Sequence, residues 1–253
     1  MKKVAIMIAI ILISFFNIIY PNNTDTLSVE TFNAVKQADN VRNLELYQKA
    51  RALCERQLLI NPESNIASYH LAYCSFRISY IYLSDKDMTN FNKYMDEAVK
   101  LLKGNIERNE MDAESIALLS TCYGIKITAD YSLGQSLGEQ CMILISKANG
   151  IAPDNPRVMI ASGIVKFNFP DFFGGDKTKA NELFKNSVET FKTLKNDKYA
   201  WGYSDAYAWY LTSLITLDKQ DEAKKVIKEA LEYNPEFGWI KYGILPKIKN
   251  YNN

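Results

Sequence analysis

The chain has 253 residues, 47% of them hydrophobic, enough for a continuous buried core without requiring a second domain. Its 30 lysines and arginines stand against 29 aspartates and glutamates, so no net positive field argues for a nucleic-acid partner. A single histidine excludes a multi-histidine metal site, and the four cysteines lack the close pairing of a zinc site, so no metal or other cofactor is expected.

At the N-terminus, Lys2-Lys3 precede an apolar run from Val4 to Tyr20 that is interrupted by Ser14 and Asn17 and ends at Pro21-Asn22-Asn23. A basic start, an apolar centre and a polar end make residues 1–21 read as a secretory signal, with 22–250 as one helical domain. No small-x-small cleavage motif closes the run, so an uncleaved anchor is the second reading, although the run is short for a comfortable span. In a bacterial reading the domain is therefore exported to the periplasm, or held on the outer side of the inner membrane.

Beyond this segment the apolar periodicity predicts helices in pairs: 27–39 and 43–60, 64–84 and 88–107, 112–130 and 138–150, 156–168 and 177–195, 203–217 and 220–233. The second member of each pair repeats one spacing: Ala50-Cys54-Gln57, Phe91-Met95-Ala98, Cys141-Ile145-Ala148, Ala180-Phe184-Ser187 and Ala223-Ile227-Ala230. Residues four and seven apart share a helical face, so small side chains admit a neighbouring helix and the large one fills the space between. A proline five residues on (Pro62, Pro153, Pro235) stops three of these helices. Lys103 and Lys192 hold that place in the other two units, where Lys103-Gly104 and the run 195–198 are expected to end the helix instead. No alternating segment leads into an Asn-Gly or Asp-Gly hairpin turn, and the fold class is all-α.

Few residues suggest chemistry. Cys54 and Cys141 occupy register positions, where a free thiol behaves as a small hydrophobe, and a Cys122–Cys141 bridge is the alternative that export would permit. His70 lies mid-helix and reads as a packing residue. Ser162-Gly163 and Gly134-x-x-x-Gly138 are too sparse for a nucleophile elbow or a phosphate loop, and the chain is not expected to be an enzyme.

Two segments break the periodicity. In Pro170-Asp-Phe-Phe-Gly-Gly-Asp176, the glycines permit a tight reversal, Asp176 can cap the next helix, and Phe172 and Phe173 are expected to plug the space under the turn. A projecting loop that touches a partner is the alternative. The aromatic run 199–210 places Tyr203, Tyr207 and Tyr210 on one helical face, with Trp201, Asp205 and Trp209 on another. Taken as inner faces of first helices, Tyr69, Tyr73 and Arg77, then Arg157, Ile164 and Phe167, then Asp205 and Trp209 are the candidate binding residues. The aromatics would serve as anchors, with Arg77 and Arg157 as carboxylate clamps.

The recurring register, with Tyr123-Gly124, Ala148 to Pro153, Asn155-Pro156-Arg157, Phe173 to Ala180, Trp201-Gly202-Tyr203 and Trp239 to Pro246, resembles the tetratricopeptide repeat superfamily over about 28–240. Within it the chain is similar to exported repeat proteins of Bacteroidetes whose role is unassigned. A shorter likeness, through the Gly174-Gly175 loop, is to helical periplasmic components of some membrane transporters. The resemblance implies an α-solenoid of about five antiparallel helix pairs in a right-handed superhelix, non-catalytic, binding a protein or peptide on its concave face. The alternative it implies is a carrier that delivers an apolar or sugar-like small molecule to a transporter, and a membrane-associated complex stays open as partner. The register recurs at intervals longer than the roughly 34 residues of the ordinary repeat.

Overall fold

A computed structural model describes residues 23–248. Among these are ten α-helices: α1 (Asn23–Val41), α2 (Leu44–Ile60), α3 (Asn65–Ser84), α4 (Met88–Arg108), α5 (Ala113–Ala129), α6 (Gly134–Ile151), α7 (Pro156–Asn168), α8 (Lys177–Thr193), α9 (Tyr203–Thr216) and α10 (Gln220–Tyr233). Tight 3-10 turns at Tyr131–Leu133 and Asp171–Phe173 join two of the pairs, and a π-helical turn, Trp239–Ile244, follows the last. The signal or anchor reading of 1–21 lies outside the described residues, among which no strand occurs and no helix is long and apolar enough to cross a membrane.

Local chemistry explains the boundaries. Asn43, Ser64, Asp87, Asp112, Asn155 and Asp176 each stand just before a helix and accept a hydrogen bond from one of its first free backbone N–H groups. Such a cap is worth about 1 kcal/mol. Pro156 takes the first position of α7, where its missing N–H costs nothing. α2, α6 and α10 stop at Ile60, Ile151 and Tyr233, just short of the expected prolines.

The register positions are the core except for Gln57, which is half-buried and donates its amide to Ser28 Oγ at 2.8 Å. Ala50, Cys54, Met95, Ala98, Cys141, Ala148, Ala180, Phe184, Ala223 and Ile227 are fully enclosed, and the polar Ser187 donates to the Pro156 carbonyl at 2.9 Å. Lys103-Gly104 does not end α4. The helix runs on to Arg108 because Leu102 and Asn105 are buried one turn further along, and the Asn105 amide bridges the Asn65 carbonyl and Ser115 Oγ.

Successive helices pack antiparallel in the manner of a solenoid, and the C-terminal turn covers the last pair by burying Phe237, Ile240 and Ile244. The stack also returns to its beginning. Arg42, in the link between α1 and α2, reaches Asp205 in the first turn of α9, while the Asn234 amide after α10 donates to the Asn40 carbonyl at 3.2 Å. The Arg42 guanidinium lies 4.2 Å from the Phe237 ring centre. The first and fifth pairs thus meet along a seam.

One expectation fails at the α7–α8 turn. Phe172 and Phe173 do not plug the space beneath it but stand 80% and 62% exposed. Tight backbone contacts close the base of the turn: Asp176 N–H donates to the Lys166 carbonyl, Gly175 N–H to that of Pro170, and a side chain at Gly175 would strike the Phe169 carbonyl. No space is left for the rings, and they face outward.

Candidate functional site

The inner wall is built by the first helices of successive pairs. α3 contributes Tyr69, Tyr73 and Arg77, α5 contributes Glu114, and α7 contributes Arg157. These residues do converge, but the chain itself covers them. The link between α8 and α9, residues 194–202, crosses the wall and lays the Trp201 indole on the Tyr73 ring, 4.5 Å between centres. The indole N–H donates to Tyr69 Oη at 3.1 Å, and Tyr199 meets Tyr69 edge-on. Trp201 is therefore not on the helical face assigned to it, because α9 begins only at Tyr203 after Gly202, which turns the chain at φ 112°.

Arg157, 3% exposed, holds the link in place. Its Nε donates to the Trp201 carbonyl at 2.8 Å and its Nη2 to Asp197 at 2.6 Å, and Glu114 lies 3.4 Å from Nη1. Burial pushes the Glu114 carboxyl above its ordinary range despite Arg157 and the Asn155 amide, which pull it down.

At the seam a second network forms. Asp39 accepts from Tyr73 Oη and lies beside Arg42, and Arg42 also bonds Asp205. Arg77 stands 3.8 Å from Asp205 and donates from Nε to Tyr47 Oη. The two carboxylates share the arginines unequally. Burial works against ionisation of both. For Asp205 the nearby Arg42 and Arg77 outweigh it, and the group is held below its usual range. For Asp39 burial, reinforced by the charge of Asp205, prevails and the group is raised.

The other predicted residues lie elsewhere. Ile164 and Phe167 of α7 and Trp209 of α9 are half-buried in an apolar cluster, where Trp209 stacks on Phe184 at 5.6 Å and meets Trp239 edge-on at 5.3 Å. The eight candidates therefore divide: Arg77 and Asp205 at the seam with Tyr73, Tyr69 and Arg157 against the link, and the remaining three under the C-terminal turn.

Open space occurs beside the seam. A cavity of about 200 Å³ lies between α1, the link and the end of α10. Phe32, Trp201, Tyr203 and Tyr233 supply aromatic walls, Lys36 and Asp39 stand on the α1 side, and Leu194 lies opposite. Asp39 and Asp197 in the lining are already bonded to arginines, whereas Lys36 makes no ion pair among the described residues. Asp39, Arg42 and Glu114 have no periodic signature. Their one local signal is the concentration of left-handed residues at chain links, Arg42 at φ 57° and Ala200 at φ 66°.

Comparison with known proteins agrees with this architecture. The tetratricopeptide repeat family model matches residues 204–237, which span α9 and α10. No curated protein matches the chain. A thermophilic TPR protein of Thermus thermophilus superposes with a TM-score of 0.60 at 18% identity, over 86% of this chain and 98% of its own. The HusA haemophore of Porphyromonas gingivalis gives a TM-score of 0.60 at 22% identity, over 72% of this chain and 90% of its own. Repeat register, paired helices and superposition agree on a tetratricopeptide-like fold of stacked helix pairs, and residues 204–237 match the repeat itself.

Proposed function

We propose that the chain is a non-catalytic scaffold that docks a protein or peptide partner by taking one aromatic side chain of that partner into the seam cavity. The carrying observation is the cavity itself: about 200 Å³ with aromatic walls and a lysine, Lys36, that makes no ion pair among the described residues. Aromatic anchors in such recesses dominate the energetics of protein interfaces. The volume falls below the roughly 300–1,000 Å³ of sites that enclose a drug-sized molecule, which favours a side chain over a carried ligand. HusA is a haemophore, and its likeness to this chain is one of fold. The concave residues named from sequence act in this reading as a frame, since Tyr69, Tyr73 and Arg157 spend their contacts on the link. The pattern of residues 1–21 adds export to the periplasm, or an uncleaved inner-membrane anchor, to the proposal.

Selection from a random peptide library on the folded protein tests the docking. Enrichment of Phe, Tyr or Trp at one position, lost with Leu194→Trp in the cavity lining, is the expected result. Peptides that bind Leu194→Trp as well as wild type would remove the cavity from the proposal. Haemin, titrated in parallel, should bind neither protein at one-to-one stoichiometry.

A further inference from the structure

The partner chemistry that this cavity fits is present on the chain itself, at the far end of α8. The α7–α8 turn projects Asp171, Phe172 and Phe173 into solvent, with both rings largely exposed. The turn is rigid. Gly174 adopts φ 84°, the Lys166 ammonium donates to the Gly174 carbonyl at 2.8 Å, and the Gly175 and Asp176 N–H groups are tied to Pro170 and Lys166. A turn whose backbone is already tied lowers the ordering cost that docking its exposed aromatic pair would carry.

We propose that this turn of one molecule inserts Phe172 into the seam cavity of a second copy, with Asp171 beside Lys36, so that the protein associates head to tail. This rests on the docking role proposed for the cavity and names its occupant. Three observations lead to it. The cavity has aromatic walls and the volume for one large side chain, and the turn offers an uncovered one. Lys36 in the lining lacks an ion pair, and Asp171, next to Phe172, likewise makes none among the described residues. Finally, α8 separates the two: the turn precedes its first residue, while Phe191 in its last turn and Leu194 just beyond line the cavity. A helix of 17 residues is about 25 Å long, so a molecule cannot fill its own cavity. Two different patches that complement one another make a heterologous contact, which propagates into chains or closes into a ring.

Sedimentation velocity of the full chain over a concentration series tests this. Wild type should form a concentration-dependent ladder. The Phe172→Ala/Phe173→Ala variant, which keeps the cavity, and Leu194→Trp, which keeps the turn, should each be monomeric with wild-type circular dichroism. Mixed in equal amounts they should form heterodimers and nothing larger, because one functional turn and one functional cavity remain. Lys36→Asp should weaken the wild-type ladder by about twofold to fivefold, and adding Asp171→Lys in the same chain should restore it. A ladder that persists in the double phenylalanine variant, or a mixture that stays monomeric, overturns the proposal. Monomeric wild type that still binds aromatic peptides through the cavity would overturn self-association alone and leave the docking role standing.

Discussion

Arg42 bonds Asp205 across 163 residues of chain, and this buried pair fastens the first helix pair to the fifth. In an open solenoid, each repeat touches only its neighbours and stability is nearly a sum of local terms. Here the ends are coupled. Arg42→Ala leaves Asp205 and Asp39 buried near one remaining cation, Arg77, and should destabilise the fold by about 3–5 kcal/mol. Removing both partners relieves that uncompensated charge, so the Arg42→Ala/Asp205→Ala cost should fall short of the sum of the single costs by more than about 1 kcal/mol. Urea denaturation of the four proteins checks the cycle, and additive costs would mean that the pair does not couple.

His70 makes stability depend on pH. It is 4% exposed, its Nε2 has no hydrogen-bond partner among the described residues, and burial lowers its pKa from 6.5 to about 4, although the Tyr199 and Lys198 carbonyls pull the other way. The folded protein therefore holds the imidazole neutral where the unfolded chain would bind a proton. Stability from this residue is complete above about pH 6.5 and is lost as pH falls toward 4, by roughly 3 kcal/mol. Denaturation midpoints at pH 7.5, 6, 5 and about 4.5 should drop progressively, and His70→Gln should flatten that decline. An equal decline in the variant would assign it to the carboxylates.

Helix pairing was readable because its cause is periodic. Ala223, Ile227 and Ala230 fall on one face at intervals set by the helix, and all three are enclosed. The seam has no such cause. Asp39 and Arg42 meet Asp205 only because the stack turns far enough to bring its ends together, which is a property of accumulated packing angles. Trp201 illustrates the same limit. Its helical spacing from Asp205 and Trp209 suggested a common face, but Gly202 reverses the chain and sends the indole inward. At Phe172 and Phe173 composition pointed to burial, and backbone closure beneath the turn prevented it.

Two glycines in helix interiors should respond oppositely to the same substitution. A methyl group at Gly163 would lie 2.4 Å from the Phe184 ring, which is itself fully buried, so Gly163→Ala must displace the α7–α8 contact and should cost about 1–3 kcal/mol. Gly124, in α5, has nothing within 4 Å of the added carbon, and Gly124→Ala should stabilise by about 0.5–1 kcal/mol through helix propensity alone. Thermal unfolding of the two variants should move in opposite directions from wild type. A stabilised Gly163→Ala would show that Phe184 can move aside without loss.

The cysteines offer a test of whether the core is as closed as its register implies. Cys54, Cys74, Cys122 and Cys141 are all free and buried, and the Cys122–Cys141 bridge considered from sequence is not formed, the Cys141 thiol instead lying 3.1 Å from Ser120 Oγ. Burial raises the Cys122 and Cys141 thiols above their ordinary range, and Cys74 is raised by its hydrogen bond with Cys54 and by burial, so at these three positions thiolate is scarce as well as inaccessible. Ellman's reagent at pH 8 should therefore find almost no reactive thiol in the native protein and four after unfolding in guanidinium without reductant. Two thiols in the unfolded protein would mean that a bridge forms after all. Fast reaction of the native state would mean that the helix pairs open locally on the timescale of the assay.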